Sequence, residues 1–424
     1  MHLTDEEKKI LDGKKGAAAR EAMALMVRYG EVIGAKEMCR VTWADLFCGA
    51  HNYLDVAGSK DFDEIFARMA LCTDRKVALD RMAQGCICYS GVEPDCTEVP
   101  EKMYMDEGKQ AFNREMLNRF ADAGVILSGN CIPYLTGFVP VMGEHFVSCE
   151  SSAVLFMNSL WGAMGNGDGI EASFCAAVCG RTPVSGMHSK KNRAGTVEVR
   201  INSSPVTNHD WDMLGYALGG MLPPHAVPVF TGKFMRPNAI TLKTFFASLA
   251  CAAGTEMCHM PGITPEAPDK ETAFQGKTGY PVIEVTPADT RAAFEQVNTG
   301  IRGSGNLDYV TIGCPHLHVE ELREITGFLE GKRIHPDVCL DIWTTGPMKY
   351  MAERNGYAAV IEAAGGNLLT GGCPSNRGYP EGVSGVAMDA TKQRQDTPAH
   401  FDGSRIFLGS RQACLEASVR GRWQ

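Results

Sequence analysis

The chain has 424 residues, 44% of them hydrophobic and 21% charged, with a formal net charge of −9 and 16 Cys. That length predicts two or three domains, and the apolar fraction excludes a disordered chain. The acidic balance excludes a general nucleic-acid binder, whose surface must neutralise phosphates. The opening from Thr4 to Lys9 is polar and charged, unlike a signal peptide, and no stretch approaches the roughly 20 apolar residues of a spanning helix. A cytoplasmic protein with no membrane contact is therefore expected. In that compartment the scattered Cys are read as reduced thiols, most of them small buried side chains and a minority metal ligands.

In chain order, Thr4 and Glu7 have capping-box spacing, with Leu3 as a hydrophobic staple. The Ala- and Met-rich stretch from Gly16 to Ile33 predicts a helix with a broad apolar face. Residues 50–110 have weak periodicity. A helix is predicted over Ala111–Ala123, then a short strand at Val125–Leu127 that runs into Gly129-Asn130-Cys131-Ile132-Pro133-Tyr134. Alternation of Val197, Val199 and Ile201 predicts a strand, and residues 241–253 a buried helix. The last third reads strand, helix, strand, helix. Tyr309–Ile312 is a strand ending at Gly313-Cys314-Pro315-His316, and the helix after it starts near Glu320 and Glu321. Val338–Ile342 is a strand, Pro347 opens a helix, and Ala358–Ile361 reads as strand-like ahead of Leu368-Leu369 and Gly371-Gly372-Cys373-Pro374. Such alternation predicts a parallel sheet with flanking helices. The expected units are an N-terminal helical and α/β region over 1–110, a central α/β domain over 111–300 and a C-terminal α/β domain over 301–424.

Cys131, Cys314 and Cys373 share one local design, a thiol in a short loop beside Gly and close to Pro. Gly lets backbone approach a cofactor, and Pro fixes the loop after the ligand. Thiolates from separate strand ends can converge on one iron–sulfur cluster and leave one iron open as a Lewis acid. By spacing alone this triple competes with many others. Cys86, Cys88 and Cys96 are a tighter group with zinc-ligand character, but a fourth Cys or His is missing nearby, which favours a core or loop role. Cys149, Cys175 and Cys179 read as packing residues.

Longer motifs settle more. Cys131-Ile132-Pro133-Tyr134, Gly143-Glu144-His145, Glu150-Ser151-Ser152-Ala153 and Asn158-Ser159 occur in that order. Gly180-Arg181-Thr182-Pro183, Gly186 with His188, Asn192-Arg193, Leu214-Gly215-Tyr216 and Ile312-Gly313-Cys314-Pro315-His316 follow them. Together these resemble the aconitase X family, also called the phosphomevalonate dehydratase large-subunit-like family. The resemblance implies an α/β fold like the large aconitase domains, with mainly parallel sheets flanked by helices and without the swivelling small domain. It implies a hydro-lyase acting on a small hydroxy acid, (R)-5-phosphomevalonate or cis-3-hydroxy-L-proline. A separate small subunit would carry the swivelling domain and the catalytic Ser. It implies Cys131, Cys314 and Cys373 as ligands of an iron–sulfur cluster or a mononuclear iron. His188, Glu150 and Ser151 become catalytic candidates, and Ser152, Asn158, Arg193, His316 and Lys392 substrate-binding ones. Each has a plainer reading beside it. A Ser caps the helix after Cys149, His145 and His188 are hydrogen-bonded core residues, Arg193 forms an ion pair, and His316 supports a ligand Cys or starts a helix.

The departures concern the pocket. Where the family commonly continues Gly-Ala-Arg-Thr-Asn-Arg, this chain has Gly162-Ala163-Met164-Gly165-Asn166-Gly167. Two guanidinium groups are missing, each able to donate charge-assisted bonds worth about 1.5–3 kcal/mol. The pair before Cys373 is Gly371-Gly372, and the early segment is altered to Phe47-Cys48-Gly49-Ala50-His51. A phosphorylated substrate is expected to suffer most. A non-catalytic metal- or metabolite-binding subunit derived from the family is the competing expectation.

Overall fold

The computed structural model describes residues 1–49, 58–83, 85–88, 107–299, 305–375, 382–397 and 405–423. In chain order its strands begin with β1 (Met38–Arg40), β2 (Trp43–Leu46), β3 (Gly85–Cys88), β4 (Val125–Leu127), β5 (Phe146–Ser148), β6 (Arg181–Pro183) and β7 (Val197–Ile201). They continue with β8 (Pro228–Gly232), β9 (Val282–Val285), β10 (Tyr309–Leu317), β11 (Cys339–Thr344), β12 (Asn367–Leu369), β13 (Val386–Met388) and β14 (Ile406–Leu408). Three sheets are entirely parallel, with orders β4-β3-β2-β5, β8-β7-β9 and β12-β11-β10-β13-β14. β1 and β6 form a separate antiparallel pair. Helices cover the sheets, as parallel strands buried on both faces require. The expected α/β architecture is the one observed.

Local signals placed many elements. Thr4 and Glu7 form the capping box of the helix Asp5–Leu11. The Ala/Met stretch is the helix Ala17–Val32, and Pro347 lies in the first turn of the helix Gly346–Arg354. The segment 241–253 lies in the helix Ala239–Ala253, which buries Phe245, Phe246 and Leu249. Three readings need correction. Ala358–Ile361 is not a strand but the middle of a helix, Tyr357–Ala364, bracketed by left-handed Gly356 and Gly365. The strand at Tyr309 does not stop at Ile312 but runs to Leu317, buried throughout. The boundary at residue 110 falls inside a sheet: β2 and β3 lie before it and pair with β5 and β4 after it, so residues 1–110 are no separate unit.

β10 is bent where the chemistry lies. Ile312 pairs with Ile342 and Leu317 with Thr344, so the residues between them bulge out of register. A bulge re-aims side chains at a strand end, and here it carries Cys314. Gly313 makes the bend possible, with φ +117 and an ideal Cβ position only 2.4 Å from the carbonyl oxygen of Trp343. Gly313→Ala is expected to cost at least the roughly 1–3 kcal/mol of a strained backbone residue, and more for the clash. Chemical denaturation checks this, and a variant as stable as the wild type would contradict it.

Candidate functional site

The site lies where strands end. In parallel α/β sheets, ligands bind beyond the carboxyl ends of the strands, where loops can diverge. Cys131 follows β4 and Glu150 follows β5, the two edge strands of one sheet, both at its carboxyl end. Cys314 lies in the bulge of β10, Cys373 follows β12 and Lys392 follows β13, at the carboxyl end of another.

The three thiols share one environment. Burial pushes the Cys131 thiol up to about 12, and Glu150 and Cys373 push the same way while Lys392 opposes them. Burial raises Cys314 well above its ordinary value, Lys392 again opposes, and Cys131 and Cys373 add to the rise. The loop of Cys131 is held by Asn130, whose side chain donates to the Ser128 carbonyl at 2.9 Å and accepts from the Ile132 amide at 3.0 Å. The amide of Ser375 donates to Cys373 Sγ at 3.4 Å.

His316 belongs to Cys131. The Cys131 amide donates to His316 Nδ1 at 3.2 Å, so that nitrogen is an acceptor, and Cys131 Sγ lies 3.0 Å from it. The amide of His316 donates back to Cys131 Sγ at 3.4 Å. Burial lowers His316 to about 4, so the ring is neutral at physiological pH. The structure makes this residue a support of the thiol in place of a substrate contact.

Lys392 and Glu150 form a buried ion pair. Burial disfavours the Lys392 charge, but Glu150, Cys314 and Cys131 more than offset that and hold its pKa above the ordinary value. Burial disfavours the Glu150 charge too, yet Lys392 and Ser152 keep its pKa lowered. Glu150 caps the helix Ser151–Leu160, accepting from the Ser152 amide at 3.2 Å and the Ser152 hydroxyl at 2.7 Å. The expected Ser cap is corrected accordingly: the acid takes the cap because a carboxylate suits a helix N-terminus. Ser152 is buried under Glu150, while Ser151 is exposed beside it. Lys392 is placed by Thr391, whose amide and hydroxyl donate to Asp212 at 3.0 and 2.8 Å.

A second buried network holds the Cys314 segment, and nothing in the sequence pattern marked it. Lys243 Nζ donates to the His316 carbonyl at 2.8 Å and to Glu321 at 2.8 Å. Arg411 donates to Glu321 at 2.8 Å and to Asp389 at 3.0 Å, and Asp389 accepts from the Gly313 amide at 3.4 Å. Burial opposes the Glu321 charge, but Lys243 and Arg411 lower its pKa to about 2. A cavity of about 820 Å³ reaches Cys314, Glu321, Asp389 and Arg411. Lys243→Met is expected to cost about 3–5 kcal/mol, because it strips one cation from a buried carboxylate. Thermal melting of the variant checks this, and an unchanged transition would contradict it.

Other candidates are placed elsewhere. His188 packs against His145 with their Nδ1 atoms 3.0 Å apart. His145 lies at the start of β5, the edge opposite the one that Glu150 follows. Arg193 is 1% exposed and donates to Glu266, to Asn158 Oδ1 at 3.2 Å and to the Met187 carbonyl at 3.1 Å. Asn158 in turn donates to the carbonyls of Gly165 and Glu256. Arg193 and Asn158 are engaged within the protein, and His188 bonds His145 at the opposite end of β5 from Glu150 while its Nε2 is buried without a hydrogen-bond partner. Of the tighter cysteine group, Cys86 is buried in the core and Cys96 lies outside the described residues. Ala50 and His51 of the altered early segment lie outside them as well.

Family models match three consecutive stretches: aconitase X first domain over residues 1–191, second domain over 195–295 and third domain over 307–420. A phosphomevalonate dehydratase large subunit of Methanocaldococcus jannaschii is 30% identical across 100% of both chains. The chain belongs to the aconitase X family. A cis-3-hydroxy-L-proline dehydratase of Pseudomonas aeruginosa is 28% identical over 97% of this chain and 69% of that protein. The holo-form of Thermococcus kodakaraensis aconitase X superposes with a TM-score of 0.83 at 26% identity, over 99% of this chain and 100% of that one. The chain is thus a hydro-lyase of the aconitase X type, and the family implies an iron–sulfur centre. The residues present fit such a group. Two buried thiols and the half-buried Cys373 act on one another electrostatically, and Lys392 is a fixed cation beside a centre that three thiolates would make anionic. Among the described residues, no helix is long and apolar enough to cross a membrane.

Proposed function

We propose that this chain is the catalytic large subunit of a dehydratase, with Cys131, Cys314 and Cys373 holding an iron–sulfur cluster. A separate small subunit with a swivelling domain supplies the Ser base. The observation that carries the reading is the meeting of the three thiols with the Lys392–Glu150 pair at strand ends of two sheets. When bound, the cluster supplies a Lewis acid for the leaving hydroxyl. Lys392 holds the substrate carboxylate, and Ser151, exposed at the helix start beside it, donates a further hydrogen bond. Glu150 keeps Lys392 charged, Ser152 orients Glu150, and His316 orients Cys131. Dehydration breaks the adjacent C–H bond, whose proton goes to the base, and the C–O bond, whose hydroxide leaves and takes up a proton from solvent as water, the base later returning its own to solvent; the organic product is an alkene.

The substrate is a small hydroxy acid without phosphate, of the cis-3-hydroxy-L-proline kind. At the two positions that lack Arg, Met164 is buried and the Gly167 amide donates to Glu256 at 2.6 Å, so neither supplies a guanidinium to pair with a phosphate. Turnover of cis-3-hydroxy-L-proline and of (R)-5-phosphomevalonate by the reconstituted complex tests this, and faster turnover of the phosphate ester would overturn it. The same Arg loss favours one other reading, a subunit that binds iron without catalysis. Iron uptake with no turnover of either acid, small subunit present, would select it.

A further inference from the structure

Three segments remote in sequence meet at the edge of the first sheet opposite the thiols. Cys39 lies on β1, His145 just before β5 and His188 at the end of the short helical turn Gly186–His188. Backbone bonds fix this junction, with Thr42 donating to the His145 carbonyl at 2.9 Å and β1 paired to β6. One ligand atom from each of the three side chains lies within 4.8 Å of the other two, and His145 Nδ1 is 3.0 Å from His188 Nδ1. The dehydration chemistry proposed above uses none of the three.

We propose that Cys39, His145 and His188 form a binding site for a divalent ion of the zinc type. One thiolate and two imidazoles are a donor set that zinc favours. Tetrahedral zinc, with bonds of about 2.0–2.1 Å to nitrogen, sets two imidazole nitrogens roughly 3.3 Å apart, so the observed pair needs to open by only a few tenths of an ångström. Burial lowers His188 to about 3 and also lowers His145, which leaves both rings neutral; one Nδ1 donates to the other, and its proton moves to Nε2 of the same ring when the ion binds. The Cys39 thiol hydrogen-bonds the Thr182 carbonyl at 3.5 Å and gives its proton to solvent when the ion binds. The surroundings favour a cation. Asp168 is buried, its Oδ2 has no hydrogen-bond partner, burial raises its carboxyl to about 7, and it adds to the burial that pushes the Cys39 thiol up to about 12. Glu256 stands close enough to act on Asp168. The nearby Arg193 is neutralised by Glu266. The ion ties β1, β5 and the 186–188 turn together, and its fourth position is left to water.

Two measurements test the site. The full chain with its iron–sulfur centre reconstituted is loaded with one equivalent of Zn²⁺ and examined by zinc-edge X-ray absorption. One sulfur and two imidazole nitrogens in the first shell are expected, whereas a sulfur-only shell or no retained zinc overturns the proposal. Second, Co²⁺ is titrated into a chain with Cys131, Cys314 and Cys373 replaced by Ser. Tetrahedral cobalt bands with a thiolate charge-transfer band are expected. The charge-transfer band should vanish in Cys39→Ser, and affinity should fall at least about tenfold in His145→Gln, whose half-buried ring is the safest to replace. A band that survives Cys39→Ser, or affinity unmoved in His145→Gln, overturns the proposal.

Discussion

Cys314→Ser is expected to reduce dehydration to background and to leave the protein without stable iron. Cys314 sits in the β10 bulge between Gly313 and Pro315, almost fully buried, with its position set by Lys243 below and Asp389 beside it. A hydroxyl there is a poor iron ligand, and two thiolates cannot replace three. Losing an outer-shell partner of a metal ligand alone costs about 10–100-fold, so losing the ligand should exceed about 100-fold in turnover. The comparison is turnover and bound iron in the anaerobically reconstituted variant beside the wild type. Unchanged fold by circular dichroism would assign the loss to the centre. Retention of wild-type iron and rate would show that Cys314 is not a ligand.

Lys392→Met is expected to have the second largest effect, on stability as well as on turnover. It leaves Glu150 buried with no cation, and breaking such a pair from one side costs about 3–5 kcal/mol. The sign with pH follows from linkage. In the wild type Glu150 is held below its ordinary value, so its stabilising contribution is present above the unfolded carboxylate pKa of about 4.3 and is lost as pH falls through the folded value. In the variant, burial acts unopposed and raises Glu150. The deficit should therefore be greatest at neutral pH, where a charged carboxylate must be buried, and shrink as the solution is acidified. Chemical denaturation across a pH series reads this directly. Lys392→Arg keeps the charge and should recover most of the stability. A deficit independent of pH would mean that Lys392 contributes packing alone.

What the sequence disclosed follows the range of the forces involved. Capping at Thr4 and Glu7, the alternation at Val197–Ile201 and the apolar run at Tyr309 are local patterns, and each marks an element of the expected type. The segment Ala358–Ile361 misled because a short apolar run fits a strand or a buried helix equally, and its bracketing Gly residues decide it. The break at 110 misled because the weak periodicity of residues 50–110 gives way there to a clear helix, while β-pairing crosses it. For the site, the Gly- and Pro-flanked thiol loops marked Cys131, Cys314 and Cys373, and the family motif raised that triple above the others. Lys243, Arg411 and Asp212 were illegible, and Glu321 legible only as an acid at a helix start, because their charge partners lie far along the chain and a buried charge has no local signature. A Lys in an otherwise apolar helix, as at Lys243, is the one hint that could have been used. His188 and Arg193 were drawn into the site by motif membership alone, whereas packing gives them to the opposite edge of the sheet and its neighbouring core.

The central claim is that Cys131, Cys314 and Cys373 together hold an iron–sulfur cluster. Its most direct test is iron and acid-labile sulfide analysis, with electron paramagnetic resonance, on the anaerobically reconstituted wild type and on each of the three Cys→Ser variants. The account predicts iron with matching sulfide and a cluster signal in the wild type, and loss of both in all three variants. Iron without sulfide, or a cluster signal indifferent to any one of the three replacements, would contradict it.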